Sequence, residues 1–134
     1  MELTHEGHLW LSGALSHNSD IRITKKIEDI DDKTGSEKIL WIEPKTYKNI
    51  NEDRGTEKVI GFIAQQIKEI IPEAVDVRRG DLPNGDETQD CYHLNKTYIF
   101  TLNVCATQEL HRMITRQQAI MDSLISRIEV LENQ

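Results

Sequence analysis

From Thr97 to Gln134 the chain contains neither proline nor glycine, and its apolar residues recur at helical spacing. A stretch this long without a breaker reads as one continuous helix over about 97–134. Leu110, Gln117, Leu124 and Leu131 fall seven apart, as do Ile114, Met121 and Ile128, and the two sets interleave at three and four. That is a heptad seam, and it predicts a coiled coil. The alternative is a single amphipathic helix packed on its own domain, but the seam persists past anything left to cover it. Gln117 at a core position sets register and oligomeric state rather than adding stability. Ile alternating with Leu leans toward two strands by the simple pairing rule, so the seam alone does not choose between dimer and trimer.

The rest of the chain must then supply a small globular part. With 134 residues there is room for one modest domain and a small core. Only 37% of residues are hydrophobic, so much of the chain must lie extended over a surface or bury its apolar face against another copy. The net charge of −7 leaves no basic stripe for phosphates, and 5% aromatics leave little to stack bases on, which argues against a nucleic-acid partner. No run approaches the roughly 20 apolar residues of a membrane span. Cys91 and Cys105 could form one disulfide, yet no secretory signal precedes them, so reduced thiols are expected.

Along the chain, "GHLWLSGAL" alternates Leu9 and Leu11 against Trp10 and reads as a short strand. Such a strand is unstable alone, so it is expected to pair with other chains or with sequence upstream of Met1. "IRITKKI", Ile21 to Ile27, reads as a second extended piece, and "DIDDKTGS" as a turn ending in Ser36, the expected N-cap of a helix "EKILWIE" that Pro44 stops. "KTYKNI" is a strand candidate and "VIGFIA" a buried strand. "AQQIKEII" is a helix halted at Pro72, and "RRGDLPNGDETQD" is a polar excursion whose Asn84-Gly85 signals a protruding β-hairpin arm.

Chemistry concentrates at "SHNSDIRITKK". A serine hydroxyl becomes a nucleophile only beside a base, and a lysine can be that base once desolvated. Ser19, Asp20, Lys25 and Lys26 are therefore weighed as a site against a plain solvated turn. Elsewhere the signals are thin. Cys91 and His93 make one pair of metal-ligand types where a zinc site needs two, and Cys105 reads as a small core residue. Arg79-Gly80-Asp81 spells an adhesion tripeptide that a turn explains better. No phosphate-cradling glycine loop occurs, and neither a metal nor a cofactor is expected.

"SDIR" ahead of "KIEDID", then "PKTYK", then "GFIAQQIKEIIPEAV", then the terminal coiled coil, together resemble one family. It is the C-terminal intramolecular chaperone, auto-processing domain of phage tailspikes, tail fibres and neck appendages, also found in a membrane-bound myelin transcription factor. The resemblance covers about Ser19 to Leu131, and its most specific motif is "GFIAQQIKEIIPEAV". It implies an α+β fold: a short stalk strand in 1–18, a small mixed domain with a hairpin arm in 19–134, and a long helix forming a trimeric coiled coil. It further implies a homotrimer that registers an upstream β-stalk of the same polypeptide and then cuts itself free before the serine of an "SDxRxK" motif. That places the scissile bond at Asn18-Ser19, with Ser19 as nucleophile and Asp20 and Arg22 as motif residues. Thr24 stands where the family has lysine, and Lys25 comes one residue late. In an extended segment that shift turns the side chain to the opposite face.

The logic holds on physical grounds. A β-stalk of several chains has high contact order, so nucleation is slow and register errors are costly. Tethering the chains by a coiled coil raises their effective concentration to about the millimolar range. A cut after folding leaves the product kinetically trapped. The resemblance implies action in a host cytoplasm during assembly, with the parent protein ending in the virion. A permanent trimerisation cap and a receptor-binding tip are the alternatives.

Overall fold

The computed structural model describes residues 2–3, 9–10, 19–50, 52, 55–80, 82 and 85–134. In order these form β1 (Glu2–Leu3), β2 (Leu9–Trp10), a 3₁₀ turn (Ile21–Ile23), α1 (Asp32–Leu40), β3 (Lys45–Tyr47) and β4 (Val59–Gly61). There follow α2 (Ala64–Ile70), a second 3₁₀ turn (Pro72–Ala74), β5 (Val75–Arg79), β6 (Asp90–Leu94) and α3 (Lys96–Glu132). The class is α+β, as expected. Among the described residues the strands pair in twos, β1 with β2, β3 with β4 and β5 with β6. β2 finds its partner in its own chain, with Leu9 opposite Leu3, rather than in another chain as its isolation suggested.

The contacts gather into two units. One comprises 30–42, 64–78 and 92–134 and holds nearly all of the core. There α1 packs on α3, and Ile67, Ile71, Ala74, Val75, Leu102, Cys105 and Ala106 are buried. Ile67 and Ile71 are fully enclosed, each worth about 1.5–3 kcal/mol relative to exposure. The start of α3 is fixed twice. The Asn95 side chain accepts the Thr97 N–H at 3.0 Å, and its own N–H donates to the Ala74 carbonyl at 2.8 Å. α2 stops where expected: the Ile71 N–H reaches the Ile67 carbonyl at 2.7 Å, and Pro72 has no N–H to continue the ladder.

The other unit comprises 1–29, 43–63 and 79–91. Among its described residues only Gly61 is buried, under the Tyr47 ring. Ile21, Ile23, Ile27, Ile50 and Ile60 all face solvent in the single chain. The antiparallel β3–β4 pair sets Thr46 opposite Ile60, so "VIGFIA" is a short strand but not a buried one.

Two further expectations are corrected. The helix expected from Ser36 begins at Asp32, and Asp31 is its N-cap: the Asp31 carboxylate accepts from both the N–H and the hydroxyl of Thr34. Ser36 is buried inside the helix, which closes at Leu40, four residues before Pro44. The segment expected to be extended from Ile21 instead turns at once, because the Asp20 side chain caps it and the Ile23 N–H returns to the Asp20 carbonyl at 3.0 Å. The hairpin arm is present as β5 and β6, closed by Gly80 N–H to the Gln89 carbonyl at 2.9 Å. Asn84 lies outside the described residues, as do all of 1–18 except β1 and β2.

Candidate functional site

Ser19 enters a compact polar turn that runs to Lys26. The Asp20 backbone is extended, which leaves its carboxylate free to fold over the turn. One oxygen accepts the Arg22 N–H at 2.8 Å and Nε at 3.0 Å, and the other accepts Nη2 at 2.6 Å. The guanidinium holds the Asp20 carboxyl below the usual carboxylate range, and Asp20 in turn raises Arg22. Thr24 closes the turn from the far side, its hydroxyl donating to the carbonyls of Ile21 at 3.2 Å and Asp20 at 3.3 Å. The chain then swings through a left-handed residue, Lys26 at φ +54°.

Chemically, Asp20 and Arg22 are committed to each other and shape the turn. Neither is placed as a general base. Ser19, Lys25 and Lys26 are exposed, and among the described residues no hydrogen bond joins the serine to either lysine. The Asn18 side of the expected scissile bond lies outside the described residues. Among the described residues, the Ser19 hydroxyl is thus accessible and neither lysine is bonded to it as a base.

The seam of α3 is wholly bare. Leu110, Ile114, Met121, Leu124, Ile128 and Leu131 are between 48% and 65% exposed, and Gln117 is exposed beside them. One turn above Leu110 the helix has a different face, where Leu102, Cys105 and Ala106 pack on α1. Burial pushes the Cys105 thiol up, as suits a core residue and not a nucleophile. An ionic ladder ties that face to α1. Arg112 bridges Asp32 and also reaches Glu109 at 3.1 Å, and Arg116 reaches Glu109 at 3.2 Å. Sequence reasoning missed this ladder, since Asp32 and Arg112 are 80 positions apart.

Cys91 and His93 alternate along β6, and the Lys68 ammonium lies 5.0 Å from the Tyr92 ring centre. Among the described residues no three His, Cys, Asp or Glu side chains gather as a metal site. Arg79 ends β5 and Gly80 turns after it at φ +81°, while Asp81 lies outside the described residues. A concavity of about 410 Å³ opens between α1 and the first turns of α3, walled by Ile30, Thr34, Gly35, Ile71, Tyr98 and Leu102.

Residues 19–76 match the Peptidase_S74 family model, described as chaperone of endosialidase. The match begins at Ser19 and takes in the turn, α1, β3, β4, α2 and the start of β5. That family is one of self-cleaving, serine-peptidase-type chaperone domains, and the match supports an intramolecular chaperone role.

Proposed function

We propose that the domain gathers three copies of its polypeptide through α3, brings upstream β-stalk strands into register, and is then released by slow self-cleavage at Asn18-Ser19. The observation that carries this reading is the bare seam from Leu110 to Leu131, which a lone chain cannot bury. Three helices fit better than two. Met113, Ile120 and Ile125 flank the seam and are also exposed, so the apolar stripe is broader than two helices cover. The second unit, with almost no core of its own, adds exposed isoleucines that further copies would enclose.

In the cleavage step the Ser19 hydroxyl attacks the Asn18 carbonyl as a base takes its proton. The peptide C–N bond breaks, the proton passes to the freed Ser19 amine, and water hydrolyses the resulting ester. Lys25, rotated inward or supplied by a neighbouring copy, is the candidate base. One observation favours the rival reading of a permanent cap: the residue in the lysine position, Thr24, uses its hydroxyl to close the turn. By the same reading the domain acts in a host cytoplasm during assembly and its parent protein ends in the virion.

The test is a mass measurement over days on a freshly expressed longer chain carrying the stalk. A new N-terminus at Ser19, following trimer formation, is expected. A stalk that folds and trimerises equally well without the domain would refute the chaperone role.

A further inference from the structure

The two edges of the α3 seam are not interchangeable. One edge carries Met113, Ile120 and Arg127 at seven-residue spacing, and the other carries Gln118, Ile125 and Glu132. In a parallel coiled coil without stagger, each residue of the first edge meets the residue five positions further along the neighbouring helix. That rule sets Ile120 against Ile125 of the next copy and Arg127 against Glu132 of the next copy. Apolar meets apolar, and cation meets anion. A slip of one heptad in either direction ruins both, leaving Ile120 against Glu132 or Arg127 against Ile125.

The ion pairing within the chain fits the same division. Arg112 and Arg116 are engaged internally by Asp32 and Glu109. Among the described residues, Arg127 and Glu132 have no ion-pair partner in their own chain and are exposed. The same heptad phase also runs upward from Ile114 and Leu110 through Thr107 and Asn103 to Phe100, which is 72% exposed on the side away from Leu102 and Cys105.

We infer that α3 is a register lock: its face fits further copies of the same chain, parallel and unstaggered, with Ile120–Ile125 and Arg127–Glu132 between neighbours fixing the height. This rests on the assembly reading above and adds the determinant of alignment. A one-heptad slip would move one chain about 10 Å against the next, roughly three residues along a strand. The edge residues thus set the alignment handed to a stalk, whereas the seam residues supply only adhesion.

The test uses the full chain with Cys91→Ser and a spin label on Ser126→Cys, an exposed position; Cys105 is buried and stays unlabelled. A single short inter-label distance is expected in the unaltered edges. Glu132→Arg should broaden that distance and weaken association about tenfold, since like charges then meet at each of the neighbouring contacts. Arg127→Glu added to Glu132→Arg should restore both. A trimer with several distances, long antiparallel distances, or indifference to charge reversal would overturn the lock while leaving assembly intact. A chain that sediments as a monomer at all concentrations would overturn the assembly reading and the lock with it.

Discussion

Gly35 of α1 lies so close to Cys105 of α3 that a Cβ added to the glycine would sit 2.9 Å from the cysteine Cβ. A Cβ is fixed to the backbone and cannot swing aside, so the two helices would have to part. Glycine inside a helix costs about 1 kcal/mol relative to alanine, and here the close approach outweighs that preference. Gly35→Ala is expected to destabilise the domain by about 1–3 kcal/mol, lowering the thermal midpoint by several degrees. Cys105→Ala should not rescue it, because the offending atom is retained. A thermal midpoint raised by Gly35→Ala would show that the helices yield easily.

Asp32 predicts an acid limb of stability. Arg112 lowers its carboxyl from the ordinary 3.8 in the folded chain. A depressed folded value contributes stability that is fully present above the unfolded value and disappears as pH falls through the folded one. The contribution is thus intact at neutral pH and fades below about pH 4. Asp32→Asn should flatten the stability profile in that acid window. Denaturant midpoints from pH 7 down to pH 2 would check it, and parallel profiles for both proteins would exclude the pair as a contributor.

Truncation before Ile114 removes most of the seam and leaves α1, α2 and the first turns of α3 in place. The truncated chain is expected to sediment as a monomer and to give no help to a stalk. An intact trimer would move the assembly surface elsewhere.

Cleavage should respond to the turn. Thr24→Lys restores the family residue and is expected to speed cutting at Asn18-Ser19 by about a hundredfold or more, the usual contribution of a positioned base. Adding Ser19→Ala should abolish it. If the unaltered chain cuts quickly, Lys25→Ala identifies the base by its loss of cutting. Intact mass over days reads all four proteins.

Gly85 sits at φ +74° with open space around it, its N–H donating to the Leu82 carbonyl at 3.0 Å. Valine tolerates that backbone poorly, at about 1–2 kcal/mol. Gly85→Val should disturb the arm, seen as amide exchange in 85–90, and leave the trimer unchanged. Loss of the trimer would mean that the arm clasps a neighbouring chain.

Long-range order was legible where one signal ran long. The breaker-free stretch placed α3 within a residue of its observed start, Pro72 ended α2 as expected, and the arm that Asn84-Gly85 signalled is flanked by β5 and β6. Shorter signals misled wherever packing or a local cap decided the outcome. Ser36 and Asp31 are both good caps, and the choice fell to Asp31: Gly35 packs inside the helix against Cys105 of α3, and Ser36 is buried beside it. "IRIT" alternates like a strand, but the Asp20 carboxylate reaches Arg22 and turns the backbone first. At the site, the motif singled out Ser19 and its neighbours as candidates. It could not show that Arg22 occupies Asp20, nor that Thr24 is tied into the turn, since both depend on a fold two to four residues across.

α3 is held at one end only. Its 37 residues span about 55 Å, and Asn95 clamps its beginning to the Ala74 carbonyl, yet beyond Glu109 every residue is exposed. That exposed part has none of the tertiary packing from which most helical stability in proteins comes. Its order therefore rises with the number of companions at its side, and a solitary chain presents a fraying end that proteases can grip. In the proposed assembly, each arriving copy would cover that end, so completeness of assembly and resistance to cutting would rise together.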